Sequence, residues 1–258
     1  MLREKKKEIL RVAFLKVKPA TIAGERMSRI LLLRHGITEG NKKKWFYGHV
    51  DLPLLPEGIA ELEKQKEEGL YPALSDEALC FTTGLARTAE TLRTIFGERE
   101  FETVKDLRGI NFGVCECKSF DELKDKDEFQ TWMYDEQGDY PLPEGESRNE
   151  FRERVKRGFE YVLQRHNELV RRRRGIREGE CVDVAGSAGD NSSMRDSTSV
   201  ITAVITHGGV ISEIMAKLFP DEKESQWDWM PEPGCGYLLD VDDGEVKNHC
   251  LLGRVTIY

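Results

Sequence analysis

This chain of 258 residues is 39% hydrophobic and 33% charged, a composition typical of a globular protein with a charged surface. Its apolar runs all fall short of the roughly 18 residues that a membrane-spanning helix needs, so we expect no membrane partner. The net charge of −8 argues against general binding of nucleic acids. The six cysteines show no paired metal-ligand spacing and come without a secretory signal. We therefore expect reduced thiols, no bound metal and a cytoplasmic protein.

The first 26 residues differ in charge from the rest of the chain, since they contain eight lysines or arginines and three acidic residues. Basic residues interrupt their apolar stretch, which excludes a secretory signal. Two interpretations stay open: residues 1–26 are an N-terminal extension outside the fold, before a start at Met27, or they are a basic arm for targeting or binding. We expect residues 27–258 to form a single domain, with a flexible insertion at 175–199 where the sequence is polar and rich in Gly and Ser.

Strands and helices are predicted to alternate along the remaining sequence. Ser147 and Glu150 form a capping box, which predicts the start of a long helix. The predicted strands cover 30–33, 79–82, 101–105, 200–206, 236–241 and 246–251, and the predicted helices cover 56–68, 84–96, 119–124, 147–173 and 210–219. The segment between 106 and 145 is otherwise expected to be rich in loops. This alternation favours a layered α/β fold with a largely parallel sheet.

The first predicted strand ends in Arg34, His35 and Gly36. Arginine binds phosphate through two parallel hydrogen bonds, and a neutral imidazole can attack phosphorus. Glycine lets the backbone come close to the bound group. Thr38 and Asn41 follow, adding a hydroxyl and an amide that can donate hydrogen bonds to phosphate oxygens. The segment therefore predicts a phosphate-binding site with a nucleophilic histidine.

Two later strand-to-helix junctions carry residues of the same kind. Arg87 lies in the first turn of the helix over 84–96, where the helix dipole also favours an anion. His207 and Gly208 follow the strand over 200–206, and ligands of open α/β folds bind at the carboxyl ends of the strands. Three junctions thus converge on one chemistry, the binding of a phosphoryl group.

These segments resemble the motifs of the histidine phosphatase superfamily, which includes the cofactor-dependent phosphoglycerate mutases. The pattern Leu-x-Arg-His-Gly-x-Thr-x-x-Asn matches at 32–41, a Ser-x-Leu-x-Arg-Ala-x-x-Thr-like segment matches around Arg87, and the second histidine motif matches at His207. The resemblance runs from residue 30 to about 240, apart from the insertion. It implies a three-layer α/β/α sandwich with a largely parallel central sheet, of the phosphoglycerate mutase-like kind.

The resemblance also implies a mechanism of two-step phosphoryl transfer without metal or cofactor. His35 attacks the phosphoryl group, and water then hydrolyses the phosphohistidine. Arg34, Arg87 and His207 neutralise the charge on the equatorial oxygens. The substrate-binding residues that it implies are Gly36, Thr38, Asn41 and Gly208.

One segment departs from the family pattern. In the matching branch, the glutamate of a Leu-x-Glu-Ile-Asn-Phe-Gly segment protonates the leaving oxygen. Such general acid catalysis typically raises the rate about 10²–10⁴-fold. Residues 107–113 read Leu-Arg-Gly-Ile-Asn-Phe-Gly, so Gly109 stands at the position of that acid. Three interpretations stay open. The substrate has a good leaving group, as in a phosphoanhydride or phosphoramidate; or Asp106 or Glu116 takes the role; or the chain is a pseudo-enzyme that binds phosphorylated ligands without turnover.

We therefore hypothesise that the chain is a phosphatase that acts on a small phosphorylated metabolite. It would have the phosphate-binding pocket of the family but lack the usual acid. The pattern is most similar to α-ribazole phosphatases and broad-specificity phosphatases. A mutase is less favoured, because moving phosphate between hydroxyls needs the acid in both directions. Loops over 42–53 and 119–143 are expected to line the pocket mouth. Their aromatic residues either pack the loops or stack on a ring-bearing substrate: Trp45, Phe46, Tyr47, Trp132 and Tyr134. The sequence predicts no oligomeric state.

Overall fold

The computed structural model of the chain describes residues 28–175 and 201–253. The extension at 1–26 and all but the first residue of the insertion at 175–199 lie outside these ranges. The strands are β1 (Ser28–Arg34), β2 (Trp45–Phe46), β3 (Cys80–Thr82), β4 (Glu102–Thr103), β5 (Lys118–Ser119), β6 (Ile201–Thr206), β7 (Gly236–Asp242) and β8 (Glu245–Leu252). The α-helices are α1 (Glu39–Lys42), α2 (Pro56–Glu67), α3 (Ala86–Phe96), α4 (Phe120–Leu123), α5 (Asp127–Tyr134), α6 (Arg148–Arg174) and α7 (Gly208–Leu218).

Six strands form the central sheet in the order β4-β3-β6-β1-β7-β8. The first four strands in this order are mutually parallel, and β7 and β8 complete one edge as an antiparallel pair. A second, two-stranded sheet pairs β2 with β5. The largely parallel sheet predicted from the sequence is thus confirmed, with an antiparallel hairpin at one edge.

The apolar run of β1 explains the three layers. Ile30 and Leu32 face one side of the sheet, where α6 and α7 pack, and Leu31 and Leu33 face the other side, where α2 and α3 pack. All four side chains are fully buried. A strand covered on both faces needs such a continuous apolar run rather than an alternating one. The predicted α/β/α sandwich is therefore confirmed.

The ends of α6 follow the predicted signals. The Ser147 hydroxyl accepts a hydrogen bond from the Glu150 amide at 3.1 Å, and the Glu150 carboxylate accepts one from the Ser147 amide at 2.8 Å. The helix ends at Gly175, whose φ of 71° places it in the left-handed region that favours glycine.

Helix α5 lies in the segment that was expected to be rich in loops. Its Phe129 and Trp132 are buried in a separate apolar cluster, together with Phe46 of β2. An eight-residue helix gains little from intrinsic propensity and depends on such packing. Sequence periodicity over so short a segment did not indicate it. Phe46 and Trp132 therefore pack the loops, whereas Tyr134 is 75% exposed.

His166 is a fully buried histidine that joins α6 to the sheet. Its Nδ1 lies 2.9 Å from the Thr202 hydroxyl, and its Nε2 lies 2.9 Å from the Ser28 hydroxyl. The Ser28 hydroxyl donates to the carbonyl of Val241, so it accepts from Nε2–H and leaves Nδ1 as an acceptor. Burial lowers the pKa of His166 from 6.5 to about 4. The folded state therefore holds this ring in its neutral form.

We expect replacement of His166 with glutamine to weaken the acid sensitivity of the fold. A pKa that is lower in the folded chain than in the unfolded chain stabilises the fold above pH 6.5, and this contribution is lost as the pH falls toward about 4. The lowering corresponds to about 3 kcal/mol. Urea unfolding at several pH values should show the gap in unfolding free energy between wild type and variant shrinking as the pH falls. A gap that is the same at every pH contradicts this role.

Candidate active site

The carboxyl ends of the parallel strands bring the predicted site residues together. Arg34 at the end of β1 is in register with Thr206 at the end of β6, and β3 lies on the other side of β6. The residues that follow these strands therefore meet at one edge of the sheet. The rings of His35 and His207 lie there with their centroids 5.2 Å apart.

His35 is held with one ring nitrogen free for chemistry. Its backbone amide donates to the carbonyl of Thr206 at 2.9 Å, which extends the β1–β6 pairing by one residue. Its Nδ1 lies 2.7 Å from the carbonyl of Gly36. Because a carbonyl only accepts, Nδ1 carries the proton and Nε2 keeps its lone pair. The local backbone thus selects the tautomer that a nucleophilic histidine needs.

His207 is held in the opposite tautomer. Arg87 directs its Nε toward Nδ1 of His207 at 3.4 Å, and since arginine only donates, Nδ1 is the acceptor. The Nε2 of His207 then carries the proton and lies 3.1 Å from the hydroxyl of Thr83. The ring lies directly after β6, at the start of α7, so the first helical amides are close by.

Burial sets the charge of both histidines. It lowers the pKa of His35 well below 6.5, with further lowering by the charges of Arg87 and then Arg34. The pKa of His207 is lowered well below 6.5 in the same way, first by burial and then by Arg87. Both rings are consequently neutral near neutral pH. His35 therefore needs no separate base before it attacks an electrophile.

Two arginines of the site form no ion pair in the part of the chain that the structure describes. Arg87 is fully buried; it donates to the carbonyls of Val50 and Gly48, each at 2.8 Å, and carboxylates act on it only through space. Arg34 donates to the carbonyl of Pro231 at 2.7 Å, while its Nε is buried without a partner. Because buried charges are normally paired, this arrangement favours an external anion.

Two predicted binding residues, Thr38 and Asn41, bind each other at the start of α1. The Thr38 hydroxyl donates to Oδ1 of Asn41 at 3.0 Å, and the Thr38 amide donates to the same oxygen at 2.9 Å. Tyr47 places its hydroxyl 2.7 Å from that of Thr38. The pair thus shapes the loop after His35, and its direct contact with phosphate remains a prediction.

The two predicted glycines lie in close-packed surroundings. A Cβ at Gly36 would lie 2.8 Å from Cδ1 of Leu62, and the Gly36 amide donates to the Thr91 hydroxyl at 3.0 Å. A Cβ at Gly208 would lie 3.1 Å from Cζ of Arg34. Glycine at position 208 therefore leaves room for the guanidinium in the pocket. Whether either backbone touches the substrate remains a prediction.

The loop over 42–53, which was expected to line the pocket mouth, closes over Arg87 through the carbonyls of Gly48 and Val50. The sequence did not reveal that Glu116 anchors this loop. The Glu116 carboxylate accepts hydrogen bonds at 3.0–3.2 Å from four backbone amides, those of Gly48, His49, Val50 and Phe112. Asp51 accepts from the amide of Ala86 at 2.7 Å, at the first residue of α3. A single glutamate in a loop carries no sequence pattern that would have revealed this function.

Gly109 faces the site from the position expected for the acid. A Cβ at Gly109 would lie 3.7 Å from Cγ of His207 and 3.0 Å from Cα of Gly48. Arg154 on α6 fixes this segment, since it donates to the Gly109 carbonyl at 3.1 Å and to the Asp106 carbonyl at 2.8 Å. The backbone therefore takes the path that would present a side chain to the pocket, but no side chain is there.

Both alternative carboxyl groups have partners elsewhere. The Asp106 carboxylate lies 3.5 Å from Nε of Arg157 on α6, and the Glu116 carboxylate is held by its four amides.

Within residues 28–175 and 201–253, no cluster of three or more His, Cys, Asp or Glu side chains could hold a metal ion. Over the same ranges, the helices are too short or too polar to cross a membrane.

Known proteins share both the sequence and the fold of this chain. The family model described as "Histidine phosphatase superfamily (branch 1)" matches residues 30–170. The adenosylcobalamin/α-ribazole phosphatase of Salmonella typhimurium is 25% identical over 220 residues, covering 84% of this chain and 92% of that protein. The crystal structure of the α-ribazole phosphatase from Shigella flexneri superimposes with a TM-score of 0.63 at 20% identity, covering 89% of this chain and 99% of the other. Phosphoglycerate mutase from Thermus thermophilus superimposes with a TM-score of 0.53 at 24% identity, with 89% and 99% coverage. The chain belongs to the histidine phosphatase superfamily.

Proposed function

We propose that this protein is a metal-independent phosphatase that hydrolyses a small phosphorylated metabolite through a phosphohistidine at His35. The observation that carries the proposal is the neutral His35, whose Nδ1 is held by the Gly36 carbonyl, beside Arg34 and Arg87, which within the described residues donate hydrogen bonds only to backbone carbonyls and the ring of His207. A positively charged pocket attracts the phosphoryl group, and the free lone pair can attack its phosphorus.

The reaction has two steps. In the first, the lone pair of Nε2 forms a bond to phosphorus while the bond from phosphorus to the leaving oxygen breaks, and that oxygen keeps the electron pair. In the second, the oxygen of a water molecule forms a bond to phosphorus while the bond from phosphorus to Nε2 breaks and its electron pair returns to Nε2. One proton of the water stays on the inorganic phosphate, and the other neutralises the anion that left in the first step. Arg34 and Arg87 stabilise the charge on the equatorial oxygens in both steps.

The leaving group sets the rate, because Gly109 supplies no proton. Aryl phosphates and other esters with stable leaving anions should react, whereas simple alkyl phosphates should react slowly. The α-ribazole phosphatase relative suggests a small ring-bearing phosphate as a first natural candidate. A binding protein without turnover is the second candidate function, and the empty acid position at Gly109 is the observation that favours it.

The cysteine thiols support a reducing compartment for this reaction. In the part of the chain that the structure describes, Cys80, Cys115, Cys117 and Cys250 form no disulfide. Such thiols are typical of cytoplasmic proteins, so we place the enzyme in the cytoplasm.

The test is to trap the phosphoenzyme. Wild type is mixed with radiolabelled p-nitrophenyl phosphate and quenched in alkali, which preserves phosphohistidine. We expect alkali-stable, acid-labile label on wild type, and neither label nor turnover with the His35→Ala variant. His249→Gln is the matched control, because His249 lies on β8 beside Glu222 and outside the pocket; it should behave like wild type. A wild type that binds phosphate but shows neither label nor hydrolysis would replace the phosphatase proposal with the binding protein.

A further inference from the structure

Arg108 is a third arginine at the edge of the phosphate pocket. Its Nε donates to the carbonyl of Thr83 at 3.0 Å, and the hydroxyl of Thr83 lies 3.1 Å from Nε2 of His207. The single residue Thr83 thus links the guanidinium to the imidazole of the pocket. The Nη2 of Arg108 lies 3.5 Å from the position that a Cβ at Gly84 would take, just before α3.

Arg108 forms no ion pair with a carboxylate in the ranges that the structure describes. The negative charges of Asp51 and Glu116 act on Arg87 instead, and that of Glu232 acts on Arg34. A second anionic group of the substrate, beside the phosphoryl group that is transferred, would give Arg108 a partner.

The neighbouring residue Gly109 points to the chemistry of that group. Position 109 faces His207, and it offers no acid to protonate a leaving oxygen. An alkoxide is nearly as basic as hydroxide, so it is a poor leaving group unless it is protonated as it departs. A phosphate monoester that loses its last proton with a pKa of about 6 is a far better leaving group and needs no proton. Arg108 directly precedes the position where the acid is missing, and its charge acts on Arg87 in the pocket.

We propose, on the basis of the phosphatase function above, that the substrate is a phosphoanhydride, a small diphosphate ester, and that Arg108 binds its leaving phosphate. The terminal phosphoryl group occupies the pocket of Arg34 and Arg87, while the inner phosphate lies against Arg108. The same guanidinium then stabilises the anion that departs. A cation at the leaving group replaces the proton that the family acid would supply.

The atoms of this reaction balance without a further reactant. The lone pair of Nε2 of His35 forms the bond to the terminal phosphorus, and the bond from that phosphorus to the bridging oxygen breaks. The bridging oxygen keeps the electron pair and leaves as an oxygen of the phosphate monoester, which accepts hydrogen bonds from Arg108. Water then releases inorganic phosphate from His35 as in the proposed hydrolysis, so one water is consumed for each anhydride bond.

The test compares two substrates that share an organic group, ethyl diphosphate and ethyl phosphate, with p-nitrophenyl phosphate as the reference for phosphoryl transfer. We expect wild type to favour ethyl diphosphate over ethyl phosphate by about 100-fold or more in kcat/KM. Arg108→Gln should lower kcat/KM for ethyl diphosphate about 10- to 100-fold more than for p-nitrophenyl phosphate, and Arg108→Lys should restore part of the loss.

Arg99→Gln is the matched control. Arg99 also donates to backbone carbonyls, those of Ser75 and Leu74, and it lies away from the pocket. It should leave the ratio between substrates unchanged. Binding of methylenebisphosphonate, a diphosphate analogue that cannot be cleaved, should weaken with Arg108→Gln more than binding of methylphosphonate does.

The outcomes separate the two proposals. If p-nitrophenyl phosphate is hydrolysed and His35 is labelled, but ethyl diphosphate shows no preference or the preference survives Arg108→Gln, the anhydride proposal fails and the phosphatase stands. If neither hydrolysis nor label occurs with any substrate, both proposals fail.

Discussion

Replacing Gly109 with glutamate is expected to raise kcat/KM for ethyl phosphate by about 10²- to 10⁴-fold, which is the usual contribution of a general acid. The reason is geometric: a side chain at position 109 starts 3.7 Å from Cγ of His207, at the edge of the pocket. Its carboxylic acid can donate a proton to the leaving oxygen. For p-nitrophenyl phosphate, whose leaving anion is stable, the gain should be much smaller. Steady-state kinetics with both substrates measures this difference.

Two control variants at Gly109 separate proton donation from packing. Gly109→Gln has the size of glutamate but no acidic proton, so it should not accelerate ethyl phosphate hydrolysis. Gly109→Ala measures the cost of a Cβ that would lie 3.0 Å from Cα of Gly48, a contact that requires a small shift of that loop. If Gly109→Gln raised kcat/KM for ethyl phosphate as much as Gly109→Glu does, the gain would not come from proton donation, and position 109 would not be the site of a missing acid.

Replacing Glu116 with glutamine is expected to lower the free energy of unfolding by about 3 kcal/mol and kcat/KM by about tenfold or more. The two carboxylate oxygens of Glu116 accept from the amides of Gly48, His49, Val50 and Phe112. Glutamine offers one oxygen and an NH₂ group, which would face amides that also donate. The loop that binds Arg87 then loses its anchor. Urea unfolding and steady-state kinetics measure the two effects.

The same variant tests whether Glu116 is the proton donor. If it were, Glu116→Gln would also lose activity mainly on alkyl phosphates and change the pH profile of kcat, two effects that loss of the loop anchor alone does not produce. Glu122→Gln is a suitable control, because Glu122 accepts from the Ser119 amide at 2.8 Å in an exposed capping box. It should leave the free energy of unfolding nearly unchanged and activity unaltered.

Local signals predicted the frame of the molecule well. The apolar run of β1 indicated a strand covered on both faces, and the capping box of Ser147 and Glu150 fixed the start of α6. Helix α5 escaped prediction because it is short and held by Phe129 and Trp132 in a separate cluster. Elements that depend on neighbouring residues in the sequence could therefore be predicted, whereas a helix that is stabilised by residues far away in the chain could not.

The sequence by itself determined the family, the layered α/β fold and the choice of His35, Arg34, Arg87 and His207 as the candidate site residues, because these follow from short motifs at strand ends. Only the tertiary structure decided the state of those residues. The tautomers of the two histidines depend on a carbonyl and a guanidinium brought together by folding, and burial lowers the pKa of each ring. Likewise, Glu116 is bound by amides as many as 68 residues away in the chain. Hydrogen bonding and desolvation depend on three-dimensional neighbours, which is why the motifs identify the candidate site but its protonation and charge balance required the fold.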